Sequence, residues 1–167
     1  MRSTRQSFFG LLIALAIGLA AGCLSAQEDP GRAKVGSLVV TVYFATDGDP
    51  KVAGEKAQEI SEDLRTRLSS EKKLRFAHYR ALGADTQEIF RSYENWAQPL
   101  KPSDEILVRF ETRTRPEEDS ISLDLELWLA RKKILKTDVQ LRQGRPLYVL
   151  GSEWRGGRLI IAVALAK

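Results

Sequence analysis

The chain has 167 residues, 43 % of them hydrophobic and 29 % charged, which is too short for several domains and too apolar for a disordered chain. Its 12 Gly and 6 Pro follow no period, so collagen-like and low-complexity architectures are excluded. The formal charge of +4 comes from 26 Lys and Arg against 22 Asp and Glu. Arg2 and Arg5 belong to an N-terminal segment of 26 residues that holds no acid; without it, 24 basic side chains face 22 acidic ones, a net charge near +2. Such a balance lacks the strong basic field used to bind nucleic acid, and no nucleic-acid partner is expected.

Residues 1–26 read as an export signal. The two arginines precede an apolar stretch of 15 residues from Phe8 to Gly22, shorter than the roughly 20 residues a membrane-spanning helix needs. Two processing sites follow. Leu24-Ser25-Ala26 suits cleavage before Gln27, making residues 1–26 a signal peptide. Leu19-Ala20-Ala21-Gly22-Cys23 is similar to a bacterial lipobox, with Ala20 where that pattern prefers Leu. The single cysteine of the chain falls where a lipobox places it, so residues 1–22 are expected to be a lipoprotein signal and Cys23 a lipidation site. The expected location is therefore a membrane-anchored lipoprotein facing the periplasm or the cell surface; the alternative is a soluble periplasmic or secreted protein. Residues 27–36, polar and holding Pro30 and Gly31, read as a flexible tether. Residues 37–167 read as a single domain with no cysteine left to pair.

Within that domain Leu38 to Ala45 is apolar on both faces, as for a strand inside a sheet. Asp47-Gly48-Asp49-Pro50 breaks the strand and opens a helix, with Asp49 as cap and Pro50 at the first helical position. Ala53, Ala57, Ile60, Leu64 and Leu68 form its apolar stripe. A strand is expected over Leu74–Leu82, holding His78, and a short one near Thr86–Phe90. Alternation then marks strands at Ile106–Glu111, Ile121–Leu129, Leu135–Leu141 and Leu147–Leu150, before a doubly apolar run from Leu159 to Ala166. The fold expected is α+β: one N-terminal helix packed on a mostly antiparallel sheet with a C-terminal strand meander. The alternative is a β-sandwich with an appended helix.

The chemical inventory is thin. With one His and no Cys in the domain, thiol catalysis and a zinc site are not expected. Asp47 and Asp49 lack the later ligands of a calcium loop. Motifs for a P-loop, a dinucleotide site or a nucleophile elbow are absent, since Gly151-Ser152-Glu153-Trp154 does not reproduce Gly-x-Ser-x-Gly. No cofactor is expected. Asp124 and Glu126 share one face of a strand, about 7 Å apart by strand geometry, and such a pair could do glycosidic chemistry. Trp128 falls on the polar face of the same strand and Trp154 in a glycine-rich turn; with Arg113, Arg155 and Arg158 they could form a shallow contact surface for a glycan, a peptide or another envelope protein.

The closing pattern of Asp124 and Glu126, a basic turn, Leu135–Leu141, Gly144, Leu147–Gly151, Gly157 and Leu159–Val163 resembles small exported bacterial proteins of unknown function. The opening strand, capped helix and strand are loosely similar to envelope assembly domains of the secretin or TolB type. These resemblances imply a fold and transfer no catalytic residue. The function expected is a non-enzymatic binding or assembly module of the cell envelope, reaching a membrane through Cys23 and an envelope protein or cell-wall component through its domain; the alternative is a small secreted carboxylate-dependent hydrolase.

Overall fold

Strands dominate because alternation runs unbroken for long stretches between short polar turns. The computed structural model describes residues 29–166, and 56 % of the described residues are strand and 12 % helical. In order, the elements are β1 (Lys34–Thr46), β2 (Gln58–Glu59), α1 (Glu62–Ser70), β3 (His78–Phe90), β4 (Asn95–Ala97), β5 (Ile106–Thr112), β6 (Ser120–Leu129), β7 (Lys132–Arg142), β8 (Leu147–Trp154) and β9 (Gly157–Leu165). They build two antiparallel sheets, ordered β2-β3-β1-β9-β8 and β4-β5-β6-β7. Leu38, Val40 and Val42 of β1 meet Val108, Phe110, Leu125 and Leu127 of the second sheet in one buried cluster. The core thus lies between two sheets, as in a sandwich.

This overturns the expected α+β architecture of one helix on one sheet. The helix expected to open at Pro50 is interrupted. Asp49 does accept a hydrogen bond from the Lys51 N–H, but it caps only a short 3-10 turn over Pro50–Ala53. Gly54 then takes φ = +98°, a conformation open to glycine and costly to other residues. The chain runs extended through β2, paired with Ala81 and Arg80, before Ser61 caps α1 by accepting from the Leu64 N–H. The spacing of Ala53, Ala57, Ile60, Leu64 and Leu68 fitted one α-helix, yet only the last two lie within α1. Leu68 and the preceding Ile60 join Leu74, Tyr79 and Ile160 in a second apolar cluster on the outer face of the five-stranded sheet. The Tyr79 hydroxyl donates to the Leu74 carbonyl at 2.8 Å and accepts from the Phe76 N–H at 2.9 Å, pinning the segment after α1 to the sheet.

Three smaller differences follow from pairing. The two strands expected over 74–82 and 86–90 are one, β3, which begins only at His78 and whose ladder to β1 resumes at Gly83 after a bulge at Leu82. Strand β1 starts at Lys34, opposite Phe90, inside the segment read as a tether. The run ending at Leu165 lies between β1 and β8, which accounts for its two apolar faces.

Asp85 of β3 ties the sheets together from one side. Its nearly buried carboxylate accepts from the Gln98 N–H at 2.7 Å, from Lys101 Nζ at 2.9 Å and from Gln87 Nε2 at 3.0 Å. Burial acts to raise its pKa, but these bonds together outweigh it and hold the group below its ordinary value. A lowered folded value means that the stabilisation is complete above the unfolded value of about 3.9 and is lost as pH falls through the folded one. Asp85→Asn is expected to cost about 1–2 kcal/mol at pH 7 and to leave a protein whose urea midpoint falls less steeply in acid than that of the native chain. An unchanged midpoint at pH 7 would contradict this account.

Candidate functional site

The carboxylate pair lies where strand alternation puts it. Leu123, Leu125 and Leu127 point into the core, so Asp124 and Glu126 point to the outer face of the four-stranded sheet. They are nevertheless almost fully buried, at 4 % and 5 % exposure, because charged neighbours cover them. Asp124 is approached by Arg113 at 3.1 Å, Lys136 at 3.4 Å and Arg109 at 3.5 Å. Its Oδ1 is buried without a hydrogen-bond partner. Glu126 accepts from Lys133 Nζ and Trp128 Nε1, each at 3.1 Å, and pairs with Lys136 at 3.3 Å. Arg109 is also held by Glu94 and Glu111, and Arg113 by Asp138.

The hydrogen bond from Lys133 is the main cause that holds the Glu126 carboxyl below the usual range, reinforced by Trp128 and Lys136 against the opposing effect of desolvation. Glu126 is therefore a carboxylate at neutral pH. Glycosidic cleavage needs one acid of the pair kept protonated, and the cations that surround Glu126 favour its charged form. The face is an ion-pair network whose charges are matched among themselves.

The five contact residues expected from the sequence fall on two different sheets. Trp128 is half-buried, 6.0 Å from the Trp96 ring, with Lys133 Nζ 5.3 Å from its centroid. Arg113 follows β5 and is engaged by Asp124 and Asp138. Trp154, Arg155 and Arg158 belong to the β8–β9 hairpin of the other sheet. Trp154 packs edge-on to the buried Phe44 at 5.4 Å, so much of its surface serves the core. Arg155 stacks over the Trp154 ring at 4.4 Å and donates to the Val52 carbonyl, and Arg158 donates to the Gly151 carbonyl. These residues do not converge on one surface. Cys23 lies outside the described residues.

A different region has the features of a binding site. A cleft of about 750 Å³ opens between the C-terminal end of α1 with its following loop and the turn from β7 to β8. Arg67, Lys72, Lys73 and Arg145 stand at its rim, all exposed, beside one acid, Glu71. Leu74, Tyr148 and Leu150 form an apolar floor continuous with the outer cluster of the sheet. Among the described residues no carboxylate lies within 4.0 Å of those four cations. The C-terminal dipole of α1 favours the cations next to it. It does not account for Arg145, which arrives from the opposite wall.

Sequence reasoning passed over this cleft, although its signals were visible: the Glu71-Lys72-Lys73 run after a helix and Arg145 between Gly144 and Pro146. Each alone is an ordinary solvated turn, and only folding makes them neighbours. Among the described residues no cluster of three His, Cys, Asp or Glu could hold a metal ion, and no helix is long and apolar enough to cross a membrane. Comparison with known proteins returns no matching family model, no matching curated protein and no matching solved structure.

Proposed function

We propose that the chain is an exported cell-envelope protein, held to a membrane by a lipid on Cys23, whose domain is a non-enzymatic binding module for an anionic envelope component. The observation that carries this reading is the cleft with four cations over an apolar floor, none of them within 4.0 Å of a carboxylate among the described residues. On the outer face of the other sheet the cations are already matched by carboxylates and offer an anion little net field. An open cation cluster attracts an anion without having to break existing pairs. Carboxylate hydrolysis, in contrast, is disfavoured by the ionised Glu126.

The test uses the full chain with Cys23→Ser, exported and purified, so that no lipid holds it. Mixed with washed bacterial envelope fragments, it is expected to be retained in low salt and released as salt rises. Lys73→Glu with Arg145→Glu should weaken retention roughly tenfold, as loss of charge-assisted contacts does. Asp124→Asn with Glu126→Gln should not, provided that circular dichroism shows the fold intact. Retention indifferent to the cleft reversals would overturn the reading. So would cleavage of cell-wall glycan that the Asp124 and Glu126 substitutions abolish.

A further inference from the structure

The occupant of the cleft can be specified further, and the specification rests on the binding-module reading above. Three features of the site constrain its ligand together. The first is charge: Arg67, Lys72, Lys73 and Arg145 line the cleft from two walls, and two are arginines, whose planar forks match phosphate oxygens in pairs. The second is the floor. Tyr148 and Leu150 are half-buried, and with the buried Leu74 they run on into the apolar cluster formed by Leu68, Tyr79 and Ile160. A small inorganic anion would leave this surface wet, whereas an anion carrying a hydrocarbon chain would cover it at about 25 cal/mol per Å². The volume, about 750 Å³, falls within the usual range for organic ligands and exceeds what a bare anion fills.

The third feature is position. Leu147 at the start of β8 pairs with Val163 of β9, which pairs with Val40 of β1. The Gly144–Pro146 turn therefore lies toward the end of the sheet at which β1 begins, at Lys34. Ten residues separate Cys23 from Lys34, and the eleven steps between them span at most roughly 40 Å when extended. A lipid on Cys23 would keep the Gly144–Pro146 wall of the cleft within reach of the headgroup layer, while the floor runs from it to Leu150, level with Tyr43 of β1.

We infer that the cleft takes the phosphate of an anionic glycerophospholipid, with Arg67, Lys72, Lys73 and Arg145 around the phosphate and one acyl chain along Leu74, Tyr148 and Leu150. The full chain with Cys23→Ser is titrated calorimetrically with three probes below their micelle concentrations: dihexanoylphosphatidylglycerol, glycerol 3-phosphate, and dihexanoylphosphatidylcholine. The first is expected to bind at least tenfold more tightly than either of the others, because it alone supplies both the net charge and the chain. Lys73→Glu with Arg145→Glu should remove that preference, Leu150→Asn should weaken the phosphatidylglycerol and leave glycerol 3-phosphate unchanged, and Arg115→Glu, a reversal outside the cleft, should alter neither. Equal affinity for glycerol 3-phosphate and phosphatidylglycerol would overturn the lipid assignment while leaving an anion-binding module. Equal affinity for phosphatidylcholine and phosphatidylglycerol would overturn the anionic reading as well. Binding of none of the three overturns the lipid assignment, and the envelope-retention experiment then decides the broader reading by itself.

Discussion

Phe110→Ala is expected to remove about 3–5 kcal/mol of stability, a large part of the 5–15 kcal/mol by which a domain of this size is held together. Phe110 sits on β5 opposite Leu125 of β6, is 1 % exposed, and lies in the cluster where both sheets meet. Its ring is among the largest fully buried side chains. Two sheets whose backbones are locked into ladders cannot close over the vacated space, so the cost includes a cavity as well as lost transfer energy. Urea unfolding followed by tryptophan fluorescence would measure it. A loss under about 1 kcal/mol would mean that the sheets do not pack through this residue, and the sandwich itself would be in question.

Gly157→Ala, a change of one methyl group, is expected to cost about 2–3 kcal/mol through overpacking. The β8–β9 hairpin turns through Arg155 and Gly156 at φ = +47° and +76°, the left-handed pair of a tight two-residue turn. Gly157 then enters β9 against β1. A Cβ there would stand 2.4 Å from Phe44 Cε2 and 2.5 Å from the Ala45 carbonyl oxygen. Neither neighbour can yield. Phe44 is fully buried with Trp154 against its ring, and Ala45 is committed to the ladder opposite Arg158. The hairpin would have to lift from β1, moving Trp154. A fall in melting temperature of roughly 8–12 °C, together with a red shift of tryptophan emission, is the expected signature; an unchanged melting temperature would show that the close approach is not there.

These two residues differ in how far they could be read from the sequence. The alternation of Ile106, Val108 and Phe110 marked Phe110 as inward-facing on a strand, and it is. Nothing around Gly157 announced a backbone pressed against a phenylalanine 113 positions earlier; such an approach exists only once β9 has paired with β1. The helix shows the opposite failure. Its apolar spacing from Ala53 to Leu68 satisfied a helical period, but Gly54 broke the segment and Ser61 offered a second, better cap, and a two-residue strand took the residues between. Local pattern was overridden by one glycine and one serine whose effect depended on β3 being available to pair.

The candidate site follows the same division. Asp124 and Glu126 were placed on one outward strand face by their period of two, which the structure shows. The Glu126 carboxyl is held low chiefly by Lys133, with Trp128 and Lys136, and Asp124 is approached by Arg109 from β5, Arg113 beyond it and Lys136 from β7; none of these cations adjoins the pair in the chain. Trp128 and Trp154 were conspicuous as aromatics off the expected core, yet ring packing against Trp96 and Phe44 occupies much of them. The cleft drew its cations from 67–73 and from 145, segments about 70 residues apart that carry no shared motif.

By itself the sequence determined what local rules control: an export signal to be expected from a basic, then apolar, N-terminus, nearly all the later strands, the inward and outward faces of each, and a domain with one histidine and no cysteine over residues 37–167. Periodicity and composition act over a few residues and are legible without a fold. Only the tertiary structure decided that the strands divide into two facing sheets, that the helix is short, that Glu126 is held as a carboxylate by Lys133, and that four cations share one cleft. Those outcomes depend on which distant segments become neighbours, and that is settled by burying the apolar faces of all the strands at once.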